Sequence, residues 1–320
     1  MLTLVAQLPF GIDMTLMTAA AILLSALLLK LMMKSLPRDM GREYAVNGAL
    51  SAGKARGAGI VFICSFIIVS MIFVPLSIEY GVYYALIFIE MMSGYLDDKS
   101  DKPWGEYKKG MIDFIVSALT ATVFVIYNRG LLDISVFGHG VSVHPIVYGV
   151  IATFVFWLLI NAVNCADGID GFSTTLTAIS LVSALAAGYL LSMDSDTFSL
   201  AFIMLAVLVP YLWKNSPPST VLMGDAGSRS LGLFLCLIVL KTGNALLIIP
   251  LCFMLCLDGL IGIFKVSVIR FLKFNPLKRV RTPLHDHFRK NKGWSDSQVR
   301  YRFSIIQLVI SAVTLLLLSR

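Results

Sequence analysis

Charged side chains are scarce in this sequence. They make up 14% of its 320 residues, whereas hydrophobic residues make up 58%. A soluble domain of ordinary composition carries about 25% charged residues. The deficit excludes a soluble globular protein of this size, and we expect residues 1–320 to form one polytopic membrane domain in the lipid bilayer.

Cysteine is also sparse, and no pairing pattern is present. The chain has five cysteines, which is an odd number, and none of them forms a Cys-x-x-Cys motif. They are Cys64, Cys165, Cys236, Cys252 and Cys256. This spacing disfavours both a disulfide framework and a zinc site.

Apolar runs long enough to cross a bilayer, which takes about 17–25 residues, recur along the chain. They predict an all-α integral membrane protein with about ten transmembrane helices. The predicted helices are Met14–Met33, Gly59–Leu76, Val82–Leu96, Met111–Tyr127, Pro145–Ala162, Phe172–Met193, Phe198–Trp213, Ser228–Leu240, Ala245–Phe264 and Phe303–Leu318. The first contains Lys30 and is followed by no small-residue cleavage pattern, so we expect a retained span rather than a secretory signal.

The basic residues orient this predicted bundle. Ten spans place both termini on one side, and four segments on the other side hold 23 of the 26 lysines and arginines. These segments are Lys30–Arg56, Lys99–Lys109, Lys214–Arg229 and Lys265–Arg302. The positive-inside rule makes the loaded side cytoplasmic and places both termini outside. The same rule accounts for the net charge of +7, so no nucleic-acid partner is predicted.

Carboxylates gather on the predicted cytoplasmic face. Asp97 and Asp98 close the third span, and Asp225 lies in the turn Met223-Gly-Asp-Ala-Gly-Ser228 before the eighth. Carboxylate oxygens are the ligands that Mg²⁺ prefers, and a bound Mg²⁺ leaves positions for substrate phosphates. The structural alternative is a solvated helix end and an ordinary turn. These acids therefore predict a magnesium site for a phosphorylated substrate on a cytoplasmic active-site face.

The segment Asn164-Cys-Ala-Asp-Gly-Ile-Asp-Gly171 links the fifth and sixth spans. Asn164, Asp167 and Asp170 are three residues apart, so a helical turn would place all three on one face at the membrane surface. The alternative is an N-cap for the sixth span at Asp170 or Ser173. A cap explains one acid but not three polar groups, and we therefore expect this segment to belong to the functional site.

Two histidines lie in the last predicted cytoplasmic loop. His285 and His287 flank Asp286, with six lysines and arginines nearby. Such a loop attracts anions, and an imidazole can donate to a phosphate or transfer a proton near neutral pH. The alternative is a basic loop that touches anionic lipid.

Three acids fall inside predicted spans. They are Glu90, Asp113 and Asp258. Acids within spans can mark an ion path, which keeps an ion-coupled transporter as a distant alternative. Gly259 and Gly262 follow Asp258 and predict a break or bend in the ninth helix, and a bend there would open a groove toward lipid.

In its motifs the sequence resembles the polyprenyl-phosphate N-acetylhexosamine-1-phosphate transferases, along nearly the whole chain. The motifs that carry the resemblance are Asp97-Asp98, Asn164 to Gly171, Met223 to Ser228 and Pro283-Leu-His-Asp-His-Phe288, in the family's order. Lys292-Gly-Trp294 and Arg302-Phe303 add a likeness to the muramoyl type.

The resemblance implies transfer of phospho-N-acetylmuramoyl-pentapeptide from its uridine diphosphate carrier (UDP-MurNAc-pentapeptide) to undecaprenyl phosphate in peptidoglycan synthesis. It implies Mg²⁺ as cofactor, UMP as product, a homodimer and a place in the bacterial cytoplasmic membrane. The nearest alternative is a transferase of N-acetylglucosamine-1-phosphate to the same class of lipid. Either Asp97 or Asp98 could act as the base, and a two-step route through an aspartyl phosphate stays open.

The resemblance also suggests roles by position. Asp225 resembles the metal ligand, and the catalytic group comprises Asp97, Asp98, Asp167, Asp170, His285 and His287. The substrate-binding group comprises Asn164, Asn215, Leu222 and Gly224. The family commonly has an aromatic at the place of Leu222 and a third histidine at the place of Asp286. The loop with Lys54 and Arg56 lacks the family's Thr-Pro-Thr-Met-Gly-Gly pattern, so no residue of that loop is assigned a role.

Overall fold

A computed structural model of the chain describes residues 10–41, 51–100, 102–136 and 139–320. These residues form helices, short 3-10 turns and one small hairpin. The helices are α1 Phe10–Met32, α2 Gly59–Phe73, α3 Ile78–Lys99, α4 Glu106–Tyr127, α5 Pro145–Ala166, α6 Phe172–Leu190, α7 Ser195–Asn215, α8 Gly224–Lys241, α9 Ile248–Leu251, α10 Phe253–Leu272, α11 Leu284–Lys292 and α12 Asp296–Leu318. Arg42, one of the basic residues assigned to the cytoplasmic side, lies outside the described residues.

Every predicted span corresponds to a helix or, in one case, to a helix pair. Among the described residues, six helices are long and apolar enough to cross a membrane, namely α1, α4, α5, α6, α7 and α12. The pair formed by residues 245–251 and 253–272 is a seventh candidate if it counts as one span. These findings agree with the predicted all-helical membrane character. The exception is a two-stranded hairpin between α4 and α5, in which β1 Ile134–Val136 pairs with β2 His139–Val141.

The ninth predicted span is broken, but not where the sequence suggested. Its two parts enclose an angle of 89° and meet at Cys252. Gly259 and Gly262 both lie inside the continuous helix α10, so the break comes before them in the chain. Gly259 serves close packing instead, since a Cβ there would lie 2.6 Å from the Cα of Ala162 in α5.

Gln307 of α12 supports the break. Its amide nitrogen donates to the carbonyl oxygens of Pro250 and Leu251, both at 3.0 Å, and its oxygen accepts from Met254 N–H at 2.9 Å. A broken helix exposes backbone groups that need partners when they are buried. One fully buried glutamine therefore satisfies the backbone on both sides of the break.

Helix α8 lies at the centre of the bundle, and all of its residues are buried. Glycines let its neighbours approach to backbone distance, as small residues commonly do between membrane helices. A Cβ on Gly94 of α3 would lie 2.4 Å from Ala226 N, and a Cβ on Gly232 of α8 would lie 2.6 Å from the Cα of Ile160 in α5. These approaches bring the end of α3 beside the beginning of α8.

Polar contacts identify one end of the bundle. Glu79 at the start of α3 pairs with Lys241 at the end of α8, with oxygen and nitrogen 2.8 Å apart. Asn128, which follows α4, donates to the same Glu79 at 2.6 Å. Tyr80 donates to Asp194 before α7 at 3.0 Å. The end of α3, the beginnings of α4 and α8 and the end of α7 therefore lie together at the opposite end.

We expect Gly94→Ala to destabilise the protein, because the added methyl group would overlap the α8 backbone. Overpacking of this kind typically costs about 1–3 kcal/mol, which thermal unfolding of the purified protein would measure. The matched control is Gly110→Ala, the same substitution at a helical glycine of α4, because nothing lies within 4 Å of a Cβ there. Equal stability of the two variants would contradict the close approach of α3 and α8.

Candidate active site

Charged side chains from four elements meet where α3 ends and α8 begins. We call this group the carboxylate cluster, and its members are Asp97 and Asp98 of α3, Asp225 of α8, Lys109 of α4 and Arg56 from the segment before α2. Three acids and two bases thus share one site. The structure therefore brings together the three predicted carboxylates of Asp97, Asp98 and Asp225.

Arg56 connects three carboxylates. Its nitrogens lie 2.8 Å from Asp98 Oδ1, 3.2 Å from Asp39 Oδ2 and 3.4 Å from Asp225 Oδ1. Burial alone would lower the pKa of Arg56, but the charges of Asp98 and Asp225 outweigh it and raise that pKa. The guanidinium therefore stays protonated and partly neutralises the acids.

Lys109 makes a second bridge. Its Nζ lies 2.6 Å from Asp97 Oδ2 and 3.3 Å from Asp225 Oδ2. The other oxygen of Asp97 accepts the backbone N–H of Trp104 at 2.6 Å. Each base thus makes a short contact with an α3 carboxylate and a longer contact with Asp225.

Local backbone geometry holds Asp98 against α8. Asp98 Oδ2 accepts the N–H of Ala226 in the first turn of α8 at 3.2 Å. A carboxylate at this position is favoured by the positive end of the helix dipole. Gly224 has φ +67, and a Cβ there would lie 2.1 Å from Asp98 Oδ2. Both the conformation and the space require glycine at this position.

The segment that carries Arg56 is fixed by backbone pairing. Leu222 N–H donates to Ala55 carbonyl oxygen at 2.7 Å, and Ala58 N–H donates to Leu222 carbonyl oxygen at 3.1 Å. Lys54 and Arg56 are two residues apart in this extended segment, so their side chains lie on the same side. Leu222 itself is half-buried.

The turn between α5 and α6 forms a second polar group beside the first. Asp170 Oδ2 lies 3.3 Å from Lys54 Nζ and accepts Ser219 N–H at 3.1 Å. Arg300 of α12 donates to the carbonyl oxygen of Asp170 at 3.0 Å. Lys54 also donates to Ser219 Oγ at 2.8 Å. Because Lys54 is two residues from Arg56, this group adjoins the carboxylate cluster.

The predicted helical face of Asn164, Asp167 and Asp170 is wrong. Helix α5 ends at Ala166, so only Asn164 lies in it, and Asp170 lies in the turn. Asn164 Oδ1 accepts the Ser228 hydroxyl of α8 at 2.9 Å. The N-cap of α6 is Gly171, with φ +73 and no side-chain cap, so a cap at Asp170 or Ser173 is wrong as well.

Asn215 at the end of α7 ties two parts of this site together. Its Oδ1 accepts Gly171 N–H at 2.9 Å, and its Nδ2 donates to the carbonyl oxygen of Val221 at 2.8 Å. The side chain is buried. In this structure Asn215 therefore shapes the wall of the site, and its predicted contact with a nucleotide stays a prediction.

The predicted histidine loop is a helix, α11, and it separates the two histidines. His285 is buried, and its Nδ1 lies 2.7 Å from Asp258 Oδ2, while its backbone N–H donates to Asp258 Oδ1 at 2.6 Å. A Cβ on Gly168 would lie 2.6 Å from His285 Nε2, so this nitrogen faces the α5–α6 turn. His287 instead accepts the backbone N–H of Arg281 through its Nδ1 at 3.2 Å.

Sequence reasoning missed several residues of the site. Lys54, Arg56, Lys109 and Arg300 contact the predicted acids, and Asp258 orients His285. The signal for Lys109 was a charge within the first turn of an apolar helix, where desolvation is costly. The other four depend on contacts between residues distant in sequence, which no local pattern reveals.

The carboxylate cluster suits a hard divalent cation in its chemistry. Within the described part of the chain, no three His, Cys, Asp or Glu side chains converge closely enough to hold a metal ion as they stand. Asp225 nevertheless offers oxygens whose basic partners each have a second, closer carboxylate. Arg56 and Lys109 can therefore keep Asp98 and Asp97 while Asp225 accepts a metal.

The fold and the site define a multi-helix membrane protein with a polar, charge-lined site at one end of its bundle. The sequence profile described as glycosyl transferase family 4 matches residues 80–243. The chain belongs to this family. The matched part includes Asp97, Asp98 and Asp225 and leaves α11 and α12 outside.

Named relatives support this membership. A phospho-N-acetylmuramoyl-pentapeptide-transferase of Treponema pallidum (strain Nichols) is 38% identical over 290 residues, covering 85% of this chain and 80% of that protein. Proteins with the same name from Wolbachia sp. subsp. Brugia malayi (strain TRS) and Bartonella quintana (strain Toulouse) are each 26% identical. The match to the Wolbachia protein covers 80% of this chain and 82% of that protein. The match to the Bartonella protein covers 94% of this chain and 92% of that protein.

We expect Arg56→Met to lower the thermal unfolding midpoint in chelator, because Asp39, Asp98 and Asp225 lose a shared positive charge. Removing one partner of a buried ion pair costs about 3–5 kcal/mol. Because Arg56 is partly exposed, we expect the loss of stability to lie at the lower end of this range. Added Mg²⁺ should restore more stability to the variant than it adds to the wild type. The control is Arg38→Met, an exposed arginine of the same segment. Identical responses of Arg56→Met and wild type to Mg²⁺ would refute this account of the cluster.

Proposed function

We propose that this chain transfers phospho-N-acetylmuramoyl-pentapeptide from its uridine diphosphate carrier to undecaprenyl phosphate and releases UMP, in peptidoglycan synthesis. The convergence of Asp97, Asp98 and Asp225 with Arg56 and Lys109 carries the proposal. This arrangement combines metal-binding carboxylates with phosphate-binding cations. Relatives that share most of the chain bear the name of this activity.

The positive side chains around the site support a reaction between two phosphorylated substrates. Arg56 and Lys109 lie in the carboxylate cluster, and Lys54 and Arg300 contact the neighbouring turn at Asp170. Arginine and lysine are the usual phosphate-binding residues, and arginine can contact two phosphate oxygens at once. The site lies at the end of apolar helices, where a lipid phosphate would meet a water-soluble nucleotide.

In the proposed mechanism, Asp98 or Asp97 accepts the proton of the lipid phosphate. The freed oxygen attacks the β-phosphorus of the nucleotide sugar, the bond from that phosphorus to the bridging oxygen breaks, and UMP leaves with the electron pair. Arg56 and Lys109 stabilise negative charge on the reacting phosphates. Mg²⁺ bound by Asp225 would supply further neutralisation of charge on the departing phosphate.

Direct transfer is the form of the mechanism that the contacts favour. Asp98 is held by Arg56 and by Ala226 N–H, and Asp97 by Lys109 and by Trp104 N–H. Each carboxylate oxygen keeps a second lone pair that can accept a proton in place, whereas attack on phosphorus would require a carboxylate to give up its contacts and turn an oxygen toward the nucleotide sugar. We therefore assign the pair to acid–base and positioning roles.

The neighbouring polar group is proposed to bind the nucleotide sugar. Asp167 and Asp170 lie in the turn that His285 Nε2 faces. Asp258 holds His285 through Nδ1. Nε2 lies 3.8 Å from Asp286 Oδ1, beyond hydrogen-bond distance, and can donate to or accept from a substrate phosphate. The proposed substrate contacts are Asn164, Asn215, Leu222 and Gly224, with His287 as a further catalytic candidate.

The proposed topology has ten spans, both termini outside and the site on the cytoplasmic face of the bacterial cytoplasmic membrane, with the chain acting as a homodimer. The helices that match the ten predicted spans support it. One count of basic residues needs correction, because Arg229 lies buried inside α8 rather than in a loop. The remaining basic excess still lies on the side of the site.

An ion-coupled transporter is disfavoured by the partners of the buried acids. Glu90 and Asp113 both contact Arg229, and Asp258 contacts His285. These acids belong to two separate groups, and each group is joined to the site or to the helices that form it. They do not line up along one path across the bundle.

Purified protein should release UMP from UDP-MurNAc-pentapeptide only when Mg²⁺ and a polyprenyl phosphate are both present. We expect little release from UDP-N-acetylglucosamine, and the reverse preference would establish the alternative sugar donor. Asp225→Asn should lose activity while keeping its thermal unfolding midpoint. The matched control is Asp196→Asn at the far end of the bundle, which should stay active. Full activity of Asp225→Asn would remove the metal assignment.

Cysteine labelling with a membrane-impermeant maleimide should place the site inside the cell. One cysteine added at a time at exposed Lys102 or Lys290, on the side of the site, should react only in inverted vesicles. Cysteines at exposed Asp133 and Ser195 should react in intact cells. The unsubstituted protein controls for its own five cysteines. Reaction of all four positions from one side would rule out the proposed topology.

A further inference from the structure

A second charged group lies inside the bundle, away from the bundle end. Arg229 of α8 has Nε 3.0 Å from Glu90 Oε1 of α3, and its Nη2 contacts Asp113 Oδ1 of α4. Arg229 is 1% exposed, Glu90 0% and Asp113 3%. We call these three residues the buried clasp. It joins three helices through one guanidinium.

The three residues of the buried clasp lie on α3, α4 and α8, the same three helices that carry Asp97, Asp98, Lys109 and Asp225 of the carboxylate cluster. On α8, Arg229 follows Asp225 by four residues, and on α4, Asp113 follows Lys109 by four. Helical residues four apart lie on the same face, one turn from each other. On α3, Glu90 precedes Asp97 by seven residues, which is two turns on the same face. The clasp therefore lies directly beneath the cluster.

The layer between the two groups is tightly packed. Gly94 of α3 lies between Glu90 and Asp97 and touches the backbone of Asp225 and Ala226. At this contact α3 and α8 have no room to move closer. The guanidinium below it makes a hydrogen bond with Asp113 and an ion-pair contact with Glu90, and contacts with acids on two neighbouring helices oppose rotation of α8 about its own axis.

We infer that Arg229, held by Glu90 and Asp113, is a positioning residue that turns Asp225 toward Asp97, Asp98 and Lys109. This inference rests on the proposed function and adds to it the group that holds the metal ligand in place. Residues outside the ligand shell that orient a ligand typically affect metal affinity or activity by about 10- to 100-fold. A purely stabilising ion group would not have this effect once stability is restored.

The test uses a variant in which the whole clasp is apolar, Glu90→Leu with Asp113→Leu and Arg229→Met. Replacing a complete buried ion group with apolar residues is often neutral or stabilising, whereas removing one partner is strongly destabilising. The triple variant should therefore keep a thermal unfolding midpoint near that of the wild type. Its kcat for UMP release should fall about 100-fold, as misplacement of reacting groups by about 1 Å produces, with an unchanged KM for the nucleotide donor.

The matched control removes a different ion pair between α3 and α8. Glu79→Leu with Lys241→Met deletes the contact of 2.8 Å at the far end of both helices. This double variant should change the thermal unfolding midpoint at least as much as the triple variant does. Its kcat for UMP release should stay unchanged. A wild-type kcat in the triple variant, or an equal loss of kcat in the control, would overturn the positioning role.

A second measurement does not depend on turnover. Binding of Mn²⁺ in place of Mg²⁺, followed by the electron paramagnetic resonance of free Mn²⁺, should be about 10- to 100-fold weaker in the triple variant. If wild type binds Mn²⁺ but releases no UMP from either donor, the proposed function fails while the affinity ratio still decides the inference. If wild type does neither, both fail.

Arg229→Lys is the variant to use if the triple variant does not fold. It keeps the positive charge but not the two-sided guanidinium, so kcat and Mn²⁺ affinity should fall by about tenfold or more. Wild-type values of both in Arg229→Lys would show that charge alone suffices and would overturn the inference.

Discussion

The site depends on how closely α3 approaches α8. Gly94 allows the two backbones to touch, and a Cβ there would lie 2.4 Å from Ala226 N. This approach brings Asp98 to the first turn of α8, where its carboxylate accepts a backbone N–H. Without this close approach, Asp97 and Asp98 at the end of α3 would lie farther from Asp225. The chemistry of the cluster is therefore a consequence of one packing contact.

Charge balance at different depths gives the polar groups different properties. In the carboxylate cluster, three acids share two bases, and Asp39 adds a fourth acid to Arg56. The excess of negative charge within this cluster attracts a cation. Inside the bundle, Arg229 offers one charge to Glu90 and Asp113. All three residues are at most 3% exposed, so a ligand does not reach this group, and it stabilises the arrangement of the helices.

The sequence predicted much of the fold because apolar length is a local property. All ten predicted spans have counterparts among the described helices, and the acids Asp97, Asp98 and Asp225 do converge. Properties that depend on distant contacts were missed. The break at Cys252 relies on Gln307 of α12, and the position of Arg56 relies on backbone pairing with Leu222. Neither contact leaves a periodic signal near the residues that it controls.

The histidines show the same limit at a finer scale. The alternation of His285 with His287 suggested a loop in which both face an anion, but a helix places residues two apart on different faces. Asp258, which looked like an isolated acid in a span, fixes the imidazole of His285 from within α10. That contact directs Nε2 to the turn at Gly168. The break before α10 therefore matters to the site, because it sets the path of the helix that carries Asp258.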